Sequence, residues 1–290
     1  MAAGPVSSVV TLLAPASDTV ALNAADEVTG AVSGVPMLSG RRVDLQLRTP
    51  TSWTSVVHTT TDVAGAFQVA VPTWWYGDHT WRASVAATGT AAAATSTTIS
   101  VTVRAPAAAG RASAYTRMPG NARWNACRRV PYVVNLAGAP GGALDDIRYA
   151  LRQITAGSGI RFVYRGHTTL VPWSGRGQHD GMPAAGLAYA FTTPRVVHEL
   201  AGSTVGLGGS AYTSSPKGNR YVRGGIALDR TFHGRRATLR NVMMHETGHA
   251  VGLDHTTDRH EVMFPSVNGS DHWGRGDLTG LAKVGLSAGC

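Results

Sequence analysis

Apolar and polar positions alternate in short runs from residue 6 to about residue 104. VSSVVTLLA, VTGAVSG, RRVDLQLRT, GAFQVAVP, HTWRASVAAT and TTISVTVRA carry the pattern, and turn residues separate them. Successive side chains of a strand point to opposite faces, so each run predicts a half-buried strand. Their spacing predicts an antiparallel β-sandwich over residues 1–104. Periodicity then lapses in RAPAAAGRASAYTRMPG, which is rich in Ala, Gly, Pro and Arg. Residues 105–120 therefore read as a linker.

The pattern changes again over residues 121–290. VPYVVNL predicts a strand. In GALDDIRYALRQITAGSG, Leu144, Ile147, Leu151 and Ile154 recur at helical spacing before a glycine cap, which predicts an amphipathic helix. IRFVYRG, GLAYAFT and GGIALD predict further strands, with long Gly/Ser-rich loops between them. ATLRNVMMHETGHAVGL predicts a second helix with Thr238 as its N-cap, and DLTGLAKVG a short third one capped by Asp277. The second domain is thus expected to be α+β, a mixed twisted sheet with two main helices and a short C-terminal one.

A length of 290 residues suits two such domains. The net charge is +9 and the pI near 10.1, yet the cations are almost all Arg, with only Lys217 and Lys283 besides. They are scattered, with pairs at Arg41–Arg42, Arg128–Arg129 and Arg235–Arg236. That pattern predicts a diffuse positive surface and no nucleic-acid partner. No apolar run approaches the ~18–20 residues of a membrane span. MAAGPVSSVVTLLAP lacks a charged start and a compact apolar core, so no leader is read there. Cys127 and Cys290 stand at the two ends of the second domain. A disulfide between them would close a long loop and imply an oxidising compartment; two free thiols are the alternative. The expectation is a secreted monomer whose leader is not in this chain.

The chemistry concentrates in HETGHAVGLDH, residues 245–255. Residues four apart share a helix face, so His245 and His249 can hold one ion, with Glu246 beside it. His255 can join them only if the helix stops, because a continued helix would carry it about 9 Å along the axis to another face. Gly252 offers that stop, since glycine tolerates positive φ. Two histidines, a third after a turn and a neighbouring carboxylate suit tetrahedral zinc with one open position. Glu246 is then the base for a water that the metal activates.

These residues resemble the metzincin zinc peptidases, and within them the matrixins. His260-Glu261-Val262-Met263-Phe264-Pro265 looks like their Met-turn, with Met263 under the metal. Asp277-Leu278-Thr279-Gly280-Leu281 is similar to the start of their last helix. RWNACRRVPYVVNL and GALDDIRYALRQI are similar to their first strand and helix. The resemblance implies a zinc endopeptidase acting on proteins or peptides. It implies a substrate lying antiparallel to an edge strand, for which Gly186, Leu187, Ala188, Tyr189 and Ala190 of GLAYAFT are the candidates. It also implies a specificity pocket walled by residues 265–277, taking an apolar side chain after the cleaved bond. No switch motif surrounds Cys127, so latency through a cysteine on the metal is not expected. The family's second zinc uses a His/Asp cluster; His167, His179 and Asp180 lie in that region, but Tyr189 stands where a ligand would be. Ordinary surface roles are expected for these histidines, with calcium a second candidate ion.

GRRVDLQLRTPTSWTSVVHTTTDVAGAFQVAVP looks like the immunoglobulin-like modules of bacterial surface proteins. Trp74, Trp75, Tyr76 and Trp81 could form an exposed platform for a protein or glycan; packing in the sandwich is the plainer expectation. Arg275-Gly276-Asp277 resembles an integrin-binding triplet, which a helix-capping Asp explains as well. Two rival functions stand beside the peptidase: an adhesin with an inert zinc domain, and a zinc hydrolase of cell-wall amides.

Overall fold

The computed structural model describes residues 5–290 other than 176, 178 and 233. Residues 1–4, the start of the expected first domain and of the stretch read for a leader, lie outside the described residues. The chain forms two compact units, Met1–Pro106 and Ala107–Ala288, the second also holding Cys290.

The first unit is all-β. Its strands are β1 (Val9–Leu12), β2 (Thr19–Val20), β3 (Glu27–Ser33), β4 (Arg42–Arg48), β5 (Trp53–Thr60), β6 (Ala66–Ala70), β7 (Gly77–Val85), β8 (Ala94–Thr95) and β9 (Ile99–Val103). They make two sheets, β1-β3-β6 and β2-β9-β7-β4-β5, with β8 on β7. Alternation explains the layering. In β4, Val43, Leu45 and Leu47 are buried, while the intervening polar residues are not. This is the immunoglobulin-like sandwich. Trp75 and Trp81 are fully buried, 6.1 Å apart edge to face, so these two members of the aromatic cluster belong to the core.

The second unit contains β10 (Thr116–Arg117), β11 (Val130–Asn135), α1 (Ala143–Ser158), β12 (Phe162–His167), β13 (Gly186–Thr192), β14 (Gly206–Thr213), β15 (Arg220–Asp229), α2 (Arg236–Val251), β16 (Leu253–Asp254) and α3 (Arg275–Val284). Its main sheet runs β12-β11-β13-β15-β14. The first four strands are parallel, and β14 is antiparallel to β15. Parallel neighbours need a crossover, which α1 supplies between β11 and β12. α1 packs on α2 and α3, and α2 packs on β14 and β15.

Two expectations are corrected here. GLAYAFT is β13, a central strand with all seven residues buried, and not the edge. A run with no polar residue facing water is what a strand covered on both faces looks like. The antiparallel edge is β14, GLGGSAYT, which reads as a loop because its glycines hide the alternation. Nor is the stretch before residue 121 a free linker. From Ala107 it belongs to the second unit, where β10 pairs with β16, the Met118 N–H donates to Gly252 O (2.9 Å) and the Arg275 N–H to Ala109 O (2.7 Å). These bonds satisfy backbone groups that a two-residue strand would otherwise leave open.

The helix ends also differ in detail. α2 begins at Arg236 after Arg235, so Thr238 lies inside the helix and does not cap it. Arg236 and Arg240 instead anchor its first turns to buried Asp146 on α1, at 2.8 Å each. At α3 the N-cap is Gly274, and Asp277 accepts its N–H from the third helical position. Cys127 and Cys290 form a disulfide spanning 163 residues, with Cα atoms 5.7 Å apart.

Candidate metal centre

α2 carries His245, Glu246 and His249 on one buried side and stops at Gly252, whose φ of 115° is open to glycine alone at little cost. The Gly252 N–H closes on Gly248 O and His249 O. The chain then turns into β16, and His255 comes back to the helix. The three Nε2 atoms lie 3.1, 3.1 and 3.2 Å apart.

Backbone contacts fix what those atoms can do. His245 Nδ1 lies 2.7 Å from Val262 O and His249 Nδ1 lies 2.9 Å from Leu253 O. A carbonyl only accepts, so each Nδ1 carries the proton and each Nε2 presents a lone pair. Lone pairs facing one another at 3.1 Å call for a cation between them. Ligands 2.0–2.1 Å from a tetrahedral zinc stand about 3.3 Å apart, so the donor set fits that ion. Burial holds His245 down to about 4 and His249, which also feels His245, to about 3. Both therefore stay in the neutral, ligating form at neutral pH.

Glu246 is buried beneath β14. A Cβ at Gly206 would stand 2.7 Å from Glu246 Cγ, and one at Gly208 would collide with the Glu246 carbonyl. The glycines of the edge strand are thus what lets it lie this close to α2. Burial pushes the Glu246 carboxyl up to about 8, and a dication beside it would act the other way. The cleft above has a volume of about 610 Å³. Residues 203–208 form one side, the three histidines and Glu246 the base, and residues 264–267 the far wall.

The turn after His255 supports the centre from below. Met263 is buried, and a Cβ at Gly248 would collide with its sulfur, so Gly248 makes room for Met263 under the helix. Asp277 takes the N–H groups of Val262, Met263 and Gly274, and Glu261 takes those of Gly276 and Asp277 at 3.0 and 2.8 Å. Burial, then the charge of Glu261, pushes Asp277 up to about 7. Asp277 is 1% exposed, so the Arg275-Gly276-Asp277 triplet is a helix start and offers no carboxylate to a partner. Sequence reasoning placed Asp277 at a cap but missed that the same carboxylate holds the Met-turn.

The other candidate ligands are not gathered. Among the described residues, His245, His249 and His255 are the one group of three or more His, Cys, Asp or Glu able to share an ion. Asp180 accepts the Gly177 N–H, and the His167 ring packs on Tyr164. The buried Tyr189 hydroxyl sits 2.9 Å from Thr247 Oγ1, tying β13 to α2.

A mixed sheet, a helix ended by glycine, a three-histidine cluster and a methionine turn beneath it define the metzincin class of domain. Residues 147–280 match the family model described as Matrixin, Peptidase M10, and this part of the chain is a matrixin domain. No curated protein matches the chain. Among solved structures, the CARDB domain of a Pyrococcus furiosus protein, determined in solution, is similar at 14% identity, over 35% of this chain and 97% of that one, with a TM-score of 0.23.

Proposed function

We propose that the protein is a zinc-dependent endopeptidase whose base is Glu246 and whose metal ligands are His245, His249 and His255. The observation that carries this reading is the trio of converging Nε2 atoms, two of them presenting lone pairs because their Nδ1 atoms face carbonyls, with a buried carboxylate one residue from the first of them. Zinc held there supplies a Lewis acid that activates water and polarises a carbonyl. Glu246 takes the proton from that water and delivers it to the leaving amine. Its burial excludes bulk water from the transfer.

The free edge of β14 offers unpaired backbone groups along the cleft, where an extended peptide can add as an antiparallel strand. Residues 264–267, with Val242 of α2, would then receive the side chain after the cleaved bond. The disulfide suits work in an oxidising compartment outside the cell.

Digestion of a peptide library tests this. Wild type should cut internal bonds, and Glu246→Ala should be about 10²–10⁴-fold slower with one zinc still bound. Equal digestion by both proteins would remove Glu246 from the chemistry. No digestion by wild type with zinc bound would overturn the peptidase reading.

A further inference from the structure

The cleft has two ends, and the course of β14 tells them apart. A Cβ at Gly206 would meet the Glu246 side chain and one at Gly208 the Glu246 carbonyl, while Ser210 donates to Ala250 O (2.7 Å). β14 therefore advances in the same direction as α2. On the endopeptidase reading, on which this inference rests, a peptide runs antiparallel to β14 and so against α2. Residues after the cleaved bond then lie towards Asn241 and Val242. Residues before it lie towards the C-terminal end of α2, where the chain turns at Gly252 into β16.

The β10–β16 ribbon builds that end. Thr116 pairs with Asp254 and Arg117 with Leu253, and the Met118 N–H donates to Gly252 O. Side chains alternate across a ribbon, so Thr116, Met118 and Asp254 share one face, while Leu253 is buried on the other. Met118 and Asp254 are diagonal neighbours on their face, a spacing that one long side chain bridges. Both line the cleft.

The chain carries a net charge of +9, yet among the described residues no Lys or Arg lines this cleft. Its carboxylates are Glu246, the base, and Asp254. One oxygen of Asp254 accepts the His255 N–H at 2.7 Å. Among the described residues Asp254 makes no ion pair. A basic side chain suits both neighbours: its methylene stem covers Met118 while its head reaches the Asp254 carboxylate.

We infer that Met118 and Asp254 form a subsite for a basic side chain, selecting substrates with Lys or Arg within three residues before the cleaved bond. Asp254 precedes the ligand His255 in the chain, and a strand rises ~3.3 Å per residue, which together set that window.

Peptides with Lys, norleucine or Ala at each of these three positions in turn test it. Norleucine keeps the stem of Lys and lacks the charge. With zinc-loaded wild type, kcat/KM at the best position should be about fivefold higher for Lys than for norleucine, an advantage that shrinks in high salt. The net charge of the protein works against a cation, so such a preference reports a local carboxylate. Zinc-loaded D254N should cut the two alike. M118A should slow both relative to the Ala peptide and keep their ratio. A role of Asp254 in the turn alone would change the zinc content of D254N and leave the Lys-to-norleucine ratio intact. Fluorescence anisotropy of the same peptides on zinc-loaded Glu246→Ala should rank them alike without turnover. Equal wild-type rates for Lys and norleucine at all three positions, or a ratio that survives in D254N, would overturn the subsite and leave the peptidase reading standing. No cutting of any peptide, with Lys still bound above norleucine, would keep the subsite and overturn the hydrolysis. Neither cutting nor ranking would overturn both.

Discussion

Glu246 answers to two opposing demands. Without metal, burial raises its carboxyl from 4.5 to about 8, so the folded protein holds that proton more tightly than the unfolded chain does. Its contribution to stability is therefore present at low pH and is lost as pH rises from about 4.5 through about 8. His245 and His249 have the opposite sign. Their lowered values make the metal-free fold lose stability as pH falls from about 6.5 towards 4 and 3. Glu246→Gln keeps the shape and cannot ionise. Metal-free E246Q should resist urea better than metal-free wild type at about pH 8.5, with the gap closing near pH 5. Urea melts after chelation measure this, and a wild-type advantage at the higher pH would mean that the carboxylate is charged there without penalty.

At the scale of elements, α3 matters to the metal through Asp277. Its carboxylate fixes the N–H of Val262, and the carbonyl of Val262 orients His245. Asp277→Ala strands three backbone donors, those of Val262, Met263 and Gly274. It should reduce unfolding free energy by about 2–4 kcal/mol and weaken zinc retention by roughly 10–100-fold. D277N, which keeps one acceptor oxygen, should recover part of both. Urea melts with chelator competition separate the effects, since unchanged zinc affinity in a destabilised D277A would confine α3 to the fold. The histidines and the helix stop were legible because their geometry is local: spacing of four, then a glycine. Asp277's link to the Met-turn joins residues 14 and 15 apart, and no periodicity records it. The edge strand was illegible for another reason. Gly206, Gly208 and Gly209 have no side chains to alternate, and the buried run of β13 imitated a more regular strand. Which strand is the edge depends on pairing order, set by residues far apart in the chain.

The whole molecule turns on where the second unit begins. Composition pointed to residue 121, because residues 107–120 are low in period and rich in Ala and Gly. Their contacts point to Ala107. β10 is only two residues long, too short for any pattern, and its partner β16 follows the glycine that ends α2. Met118 bonds Gly252 itself, at the turn that returns His255 to the site, and Ala109 O receives the Arg275 N–H at the start of α3. Two fragments separate the readings. Residues 107–290 and 121–290 both retain the Cys127–Cys290 disulfide, α1–α3 and all three histidines. The disulfide contributes about 2–5 kcal/mol to either one, so a difference between them reports residues 107–120 alone. The longer fragment should melt cooperatively and hold one zinc. The shorter one loses the strand pair and two backbone bonds, each worth about 1 kcal/mol before strain is counted. It should melt at least about 4–8 °C lower and release zinc sooner to a chelator. Calorimetry and zinc analysis decide it: equal melting and equal zinc retention would make residues 107–120 a linker after all, while a shortened fragment that folds but drops its metal would show that this stretch braces the turn at Gly252.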